Sequence, residues 1–143
     1  MKTWTLIDKA FALKKISLFS ELDLDLLLAI ADKMNTSTFN SSEEIFPINQ
    51  EAHRMYFIIN GQVEINNVKN DKKEILHSFD FFGEESLFND LPRAYSAKAI
   101  ENVELLTLSK THLMTIISEC PNVAINLLYQ YTANMTFRKI KTL

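Results

Sequence analysis

Only two glycines occur in this chain of 143 residues, Gly61 and Gly83, so the places where the backbone can adopt a left-handed turn cheaply are few. Gly83 opens the stretch Phe82-Gly83-Glu84-Glu85-Ser86-Leu87-Phe88-Asn89-Asp90-Leu91-Pro92-Arg93-Ala94-Tyr95-Ser96-Ala97-Lys98-Ala99. A glycine lets backbone N–H groups approach a ligand without a side chain in the way. Residues 84–88 can then form one helical turn, whose first N–H groups lack partners and suit an anion. Ten residues beyond Gly83 stands Arg93, held by the stiff Pro92 before it. Guanidinium grips phosphate through paired N–H donors. Ionised Glu84 only accepts hydrogen bonds, which suits a sugar hydroxyl beside that phosphate.

These residues resemble the phosphate-binding cassette of the cyclic-nucleotide-binding domain family, the sensor domain of catabolite activator protein and of cAMP-dependent protein kinase regulatory subunits. Phe82, Gly83, Glu84, Leu87, Pro92, Arg93, Ala94, Ser96 and Ala99 fall in the family's register. The resemblance implies that Glu84 accepts from the ribose 2′-hydroxyl, that Arg93 holds the cyclic phosphate, and that the backbone N–H at Ser86 faces that phosphate. Two positions depart from the pattern: Glu85 stands where an aliphatic residue is usual, and Tyr95 where a small one is usual. Upstream, Met55-Tyr56-Phe57-Ile58-Ile59-Asn60-Gly61-Gln62-Val63-Glu64-Ile65 resembles a second family landmark. Asn-Gly between two β-branched and aromatic runs is also a strong hairpin signal, and a hairpin is expected there.

Along the chain, the spacing of Trp4, Ile7 and Phe11 predicts an amphipathic helix over 1–15, with Trp4 as a packing anchor. Asp23 is an N-cap for a helix over 24–33 that buries Leu27, Ile30, Ala31 and Met34. From Asn35 the apolar period becomes two. Strands are expected at 36–39 and 44–48 around a polar turn at 40–43, then at 74–79, 95–100 and 104–108. Helix returns at 111–119 and again from Pro121, whose stripe is Ala124, Leu127, Leu128, Tyr131 and Met135. The fold class is therefore α+β: an eight-stranded antiparallel β-roll, jelly-roll-like, flanked by N-terminal and C-terminal helices. A single cyclic-nucleotide-binding domain is expected over 1–143, with helices over 1–34, the roll over 35–109, its cassette at 82–99, and helices over 110–143.

Several function classes are disfavoured. A net charge of −3 supplies no overall drive toward DNA or anionic lipid. The chain ends too soon after its last helix for a helix-turn-helix, so no DNA-binding domain is expected. The longest uninterrupted apolar run, 26–31, is six residues, far short of a membrane span, and no signal-peptide core is present. One cysteine, Cys120, suits a reducing compartment, and a cytoplasmic location is expected. A β-roll could also house a metal enzyme, but His53, His77 and His112 fall on a loop, a strand and a helix, with no His-x-His pair. No Gly-x-Ser-x-Gly elbow occurs either. The chain reads as a non-enzyme without a cofactor or metal.

Two readings stay open. One is a regulatory sensor that binds cAMP or cGMP and moves its C-terminal helix. The other is a degenerate fold that serves as an interaction or structural module without ligand. Ala94 follows Arg93 where family members preferring cGMP often carry a hydroxyl, which favours cAMP. The expected ligand-binding residues are Gly83, Glu84, Glu85, Ser86, Arg93, Ala94 and Tyr95 from the cassette. Tyr131 and Met135 are added as a lid over the base, because they share a helix face. Strand parity brings Tyr95 near Arg93, as a plug or as a wall. The expected partners are the nucleotide and a downstream protein of unknown identity; a homodimer stays open.

Overall fold

The strand Arg54–Asn60 (β3) is apolar without a break from Met55 to Ile58, because both of its faces are covered. Met55 and Phe57 point into a core shared with helices, while Tyr56 and Ile58 point into a second core between two sheets. The same alternation runs along Val103–Ser109 (β8). Leu106 and Leu108 face the helices, and Val103 and Leu105 face the other sheet.

The computed structural model describes residues 3–133. Besides β3 and β8 it contains β1 (Asn35–Phe39), β2 (Glu44–Phe46), β4 (Val63–Asn67), β5 (Lys72–Leu76), β6 (Phe81–Phe82) and β7 (Ser96–Ala99). All pairings are antiparallel, in two four-stranded sheets ordered β1-β8-β3-β6 and β2-β7-β4-β5. Helices α1 (Leu6–Lys14) and α2 (Leu24–Ala31) precede the roll, α3 (Glu85–Asn89) interrupts it, and α4 (Lys110–Glu119) and α5 (Pro121–Ala133) follow it. The expected architecture of eight antiparallel strands with flanking helices is the one observed.

The turn read as a hairpin at Asn60-Gly61 is instead a corner between sheets, and the polar turn at 40–43 is another. β1 and β2 lie in different sheets, as do β3 and β4. Gly61 has φ +98, and a Cβ there would come within 2.5 Å of the Asn102 carbonyl oxygen. The glycine is thus required by a tight crossing, not by a two-residue hairpin. The crossings are bonded to one another. Ser41 N–H donates to Asn102 Oδ1 at 2.9 Å, and Ile100 N–H donates to the Gln62 carbonyl at 3.0 Å.

α2 is as expected: Asp23 accepts from Leu26 N–H, and Leu27, Ile30, Ala31 and Met34 are buried. α1 differs. It starts after Trp4, with Thr5 and Asp8 forming a reciprocal capping box. Ala10, Ala12 and Leu13 are its buried face, whereas Ile7 and Phe11 are exposed. Small side chains let α1 pack closely, so the large residues face outward. Trp4 does anchor the segment, donating from Nε1 to Glu104 Oε2 at 3.1 Å. The stripe on α5 is also corrected. Val123 and Leu127 are buried, while Leu128 is exposed and Tyr131 partly so. Smaller shifts move β2 to end before Pro47 and β5 to end at Leu76, which leaves His77 in a turn.

Candidate functional site

β6 delivers the chain to Gly83 at the edge of the sheet, and α3 follows at once. Gly83 has φ +84, and a Cβ built on it would stand 2.8 Å from Arg93 Nη1. The positive φ favours glycine there, and the missing Cβ leaves the space that the arginine's Nη1 occupies. The return from α3 passes through Asp90 at φ +58, then Leu91 and Pro92. Ser86 Oγ donates to the Pro92 carbonyl at 3.3 Å and ties the two limbs together.

Arg93 is only 4% exposed. Its main chain is pinned by Arg93 N–H to the Gln50 carbonyl and by Asn49 N–H to the Arg93 carbonyl, both 2.8 Å. Its guanidinium donates from Nη1 to the Gly83 carbonyl at 2.5 Å and from Nη2 to the Arg54 carbonyl at 2.6 Å. The same group lies over the Phe46 ring, 4.1 Å from its centre. Nε has no partner among the described residues. Burial lowers the arginine's pKa from its usual value, while the tyrosines and carboxylates around it pull the other way.

Glu84 is also 4% exposed. Its Oε2 accepts from the hydroxyl of Tyr131 on α5, and its Oε1 has no partner among the described residues. Burial pushes its pKa up to about 7, the charge of Glu85 adds to the rise, and the Tyr131 hydrogen bond opposes it.

The two departures from the family pattern form one unit. The Tyr95 hydroxyl donates to Glu85 Oε1 at 2.7 Å and accepts from Gly83 N–H at 2.8 Å. Its ring sits 5.8 Å from Phe46. Burial and the neighbouring carboxylates raise the phenol's pKa far above its usual value, so it is a neutral hydroxyl at any working pH. Tyr95 and Arg93 therefore flank one aromatic ring, but not through strand parity: β7 begins only at Ser96, so neither residue lies in a strand, and the irregular 91–95 segment brings them together.

Of the expected site residues, Gly83, Glu84, Glu85, Ser86, Arg93, Tyr95 and Tyr131 are brought together. Ala94 is exposed beside them, and Met135 lies outside the described residues. Sequence reasoning missed Phe46 under the guanidinium and the carbonyl of Arg54. It also missed the stacked Tyr56–Phe82 pair, whose ring centres are 5.1 Å apart. Among the described residues there is no group of three or more His, Cys, Asp or Glu placed to hold a metal ion. No described helix is long and apolar enough to cross a membrane.

A family model described as "Cyclic nucleotide-binding domain" matches residues 36–120, from β1 to the end of α4.

The chain belongs to the cyclic nucleotide-binding domain family.

Its relatives include the cAMP-dependent protein kinase regulatory subunit of Debaryomyces hansenii, 28% identical over 99 residues, 69% of this chain and 22% of that protein. A CRP-like cAMP-activated global transcriptional regulator of Mycobacterium tuberculosis is 27% identical over 120 residues, 81% of this chain and 54% of the regulator. The chain thus spans only part of the curated relatives it matches. In structure, Thermus thermophilus catabolite activator protein superposes with a TM-score of 0.77 at 22% identity, covering 88% of this chain and 61% of that one. That likeness establishes the fold. In this cyclic nucleotide-binding domain the 82–99 segment runs from the end of β6 through α3 to the end of β7, with α5 joined to it by the Tyr131–Glu84 hydrogen bond.

Proposed function

We propose that this domain is a regulatory sensor that binds a cyclic nucleotide, cAMP in preference to cGMP, performs no catalysis, and passes the binding event to α5. The observation that carries the reading is the pair of buried polar atoms without partners among the described residues, Arg93 Nε and Glu84 Oε1. One is a donor on a cation and the other an acceptor on a carboxylate. Buried groups of this kind are costly unless something pairs with them. A cyclic phosphate next to a ribose hydroxyl supplies one acceptor and one donor, in the same order.

In this reading Arg93 holds the phosphate, helped by the backbone N–H at Ser86, and Glu84 Oε1 accepts from the 2′-hydroxyl. Oε2 keeps Tyr131, so one carboxylate joins the sugar to α5. The ligand shifts α5 only by its differential affinity for two poses of that helix. The relatives, a kinase regulatory subunit and a cAMP-activated transcriptional regulator, support a downstream protein as the receiver. The absence of a hydroxyl on Ala94 favours cAMP.

Calorimetric titration with cAMP, cGMP and linear AMP tests the reading. Saturable binding is expected with cAMP, weaker binding with cGMP, and none with AMP at matched concentration. Heats indistinguishable from dilution for all three would leave the fold as an interaction module and end the sensor reading.

A further inference from the structure

The cavity of about 440 Å³ beside the cassette is lined by Ile65, Asn67, Lys72, Glu85 and Tyr95, among others, but not by Arg93. Arg93 instead lines a separate cavity of about 420 Å³ with Arg54, Tyr56 and Gln50. Gly83 is touched from both sides: its N–H is bonded to Tyr95, and its carbonyl to Arg93. Tyr95 is held in this position by three contacts, with Gly83 N–H, with the Glu85 carboxylate and with the Phe46 ring.

From this arrangement we infer that Tyr95, clamped by Glu85, is a gate that admits anions to the cassette. Its phenol occupies the Gly83 amide, which a ligand phosphate on the Glu85 side would otherwise receive. A phosphate oxygen reaches that amide only by displacing the hydroxyl. Charge-assisted hydrogen bonds are about twice as strong as neutral ones, so an anionic oxygen competes for the amide where a neutral hydroxyl does not. Tyr95 is then a specificity-determining residue: its hydroxyl sets a cost that a phosphorylated nucleotide meets in displacing it from the Gly83 amide, and that a bare nucleoside, which does not use the amide, does not meet. The inference rests on the cyclic-nucleotide reading above.

Tyr95→Phe is the informative variant, since it keeps the ring on Phe46 and removes only the hydroxyl. Three measurements on wild type and variant separate the outcomes. The first needs no ligand. Gly83 and Gly61 are the two glycines, so their amides are readily told apart by NMR, and hydrogen exchange at Gly83 should speed up in the variant. The second and third are titrations with cAMP and with adenosine. Freeing one hydrogen-bond donor should tighten cAMP about three- to tenfold. Adenosine, which has no phosphate to use that amide, should not change. Equal or weaker cAMP binding by the variant overturns the gate and leaves the sensor reading intact. Equal gains for cAMP and adenosine also overturn it, because they mean a merely wider pocket. Binding of cAMP by the variant alone supports the gate in its strongest form. No binding by either protein removes the sensor reading, and the gate with it.

Discussion

The hydroxyl of Tyr131 donates to Glu84 Oε2 across 47 positions of chain, so the last described helix is fastened to the cassette by the residue expected to read the ribose. Because the carboxylate has a second oxygen without a partner among the described residues, the helix and the proposed sugar contact need not compete for it. In the proposed function, occupation of Oε1 by the ribose hydroxyl changes the charge that Tyr131 feels at Oε2, and this hydrogen bond is the route from ligand to α5.

Glu84 makes stability depend on pH in a defined direction. Its folded pKa, about 7, lies above the ordinary 4.5, so the folded state binds this proton more tightly than the unfolded one. The contribution is fully present below pH 4.5 and is lost as pH rises through 7. Glu84→Gln, which stays neutral, should therefore gain on wild type between pH 5 and pH 8 by up to about 3 kcal/mol. Urea unfolding at the two pH values checks this. A difference that is flat or shrinks with pH contradicts the burial of a charge at Glu84.

Tyr131→Phe removes the link while leaving the ring. Hydrogen bonds to charged groups contribute roughly 1.5–3 kcal/mol, and partial exposure of Tyr131 reduces this to about 1 kcal/mol. Amides over 121–133 should exchange faster in the ligand-free variant, and cAMP should no longer alter their exchange. Equal exchange in both proteins would show that α5 is held without this bond, by the packing of Val123 and Leu127 and by the hydrogen bonds of Asn126 to the Leu18 carbonyl and of Gln130 to Ser17.

Gly61→Ala tests the corner. Positive φ and a Cβ 2.5 Å from a backbone oxygen both oppose the substitution. A loss on the order of 1–3 kcal/mol is expected in chemical denaturation. A neutral result would mean that the Asn102 carbonyl moves aside freely.

That corner also shows what the sequence does not reveal. Asn60-Gly61 demands a positive φ whether it closes a hairpin or turns the chain between sheets. The deciding partners, β7 and β8, lie some forty residues downstream. α2 was legible because an N-cap and a buried face agree within ten residues. In α1 the spacing of Ile7 and Phe11 fits a helix equally well with either side buried, and Ala10, Ala12 and Leu13 won. Gly83 and Arg93 were legible as a pair because their contact closes over ten residues. Phe46 and Arg54 reach the same guanidinium from a distant part of the chain and carry no local signal. Glu85 and Tyr95 stood out only as two separate oddities. Their hydrogen bond makes them one device.

The central claim is that Arg93 holds the ligand's phosphate, and a side-by-side titration of wild type and Arg93→Ala with cAMP tests it most directly. Removing one partner of a buried charge pair costs on the order of 2–5 kcal/mol, so affinity should fall roughly 30-fold to several thousand-fold. The alanine variant also loses the bonds to the Gly83 and Arg54 carbonyls, so circular dichroism must first show it folded. A folded variant with much weakened binding is the predicted result. A folded variant that binds cAMP as tightly as wild type would contradict the account and place the ligand elsewhere.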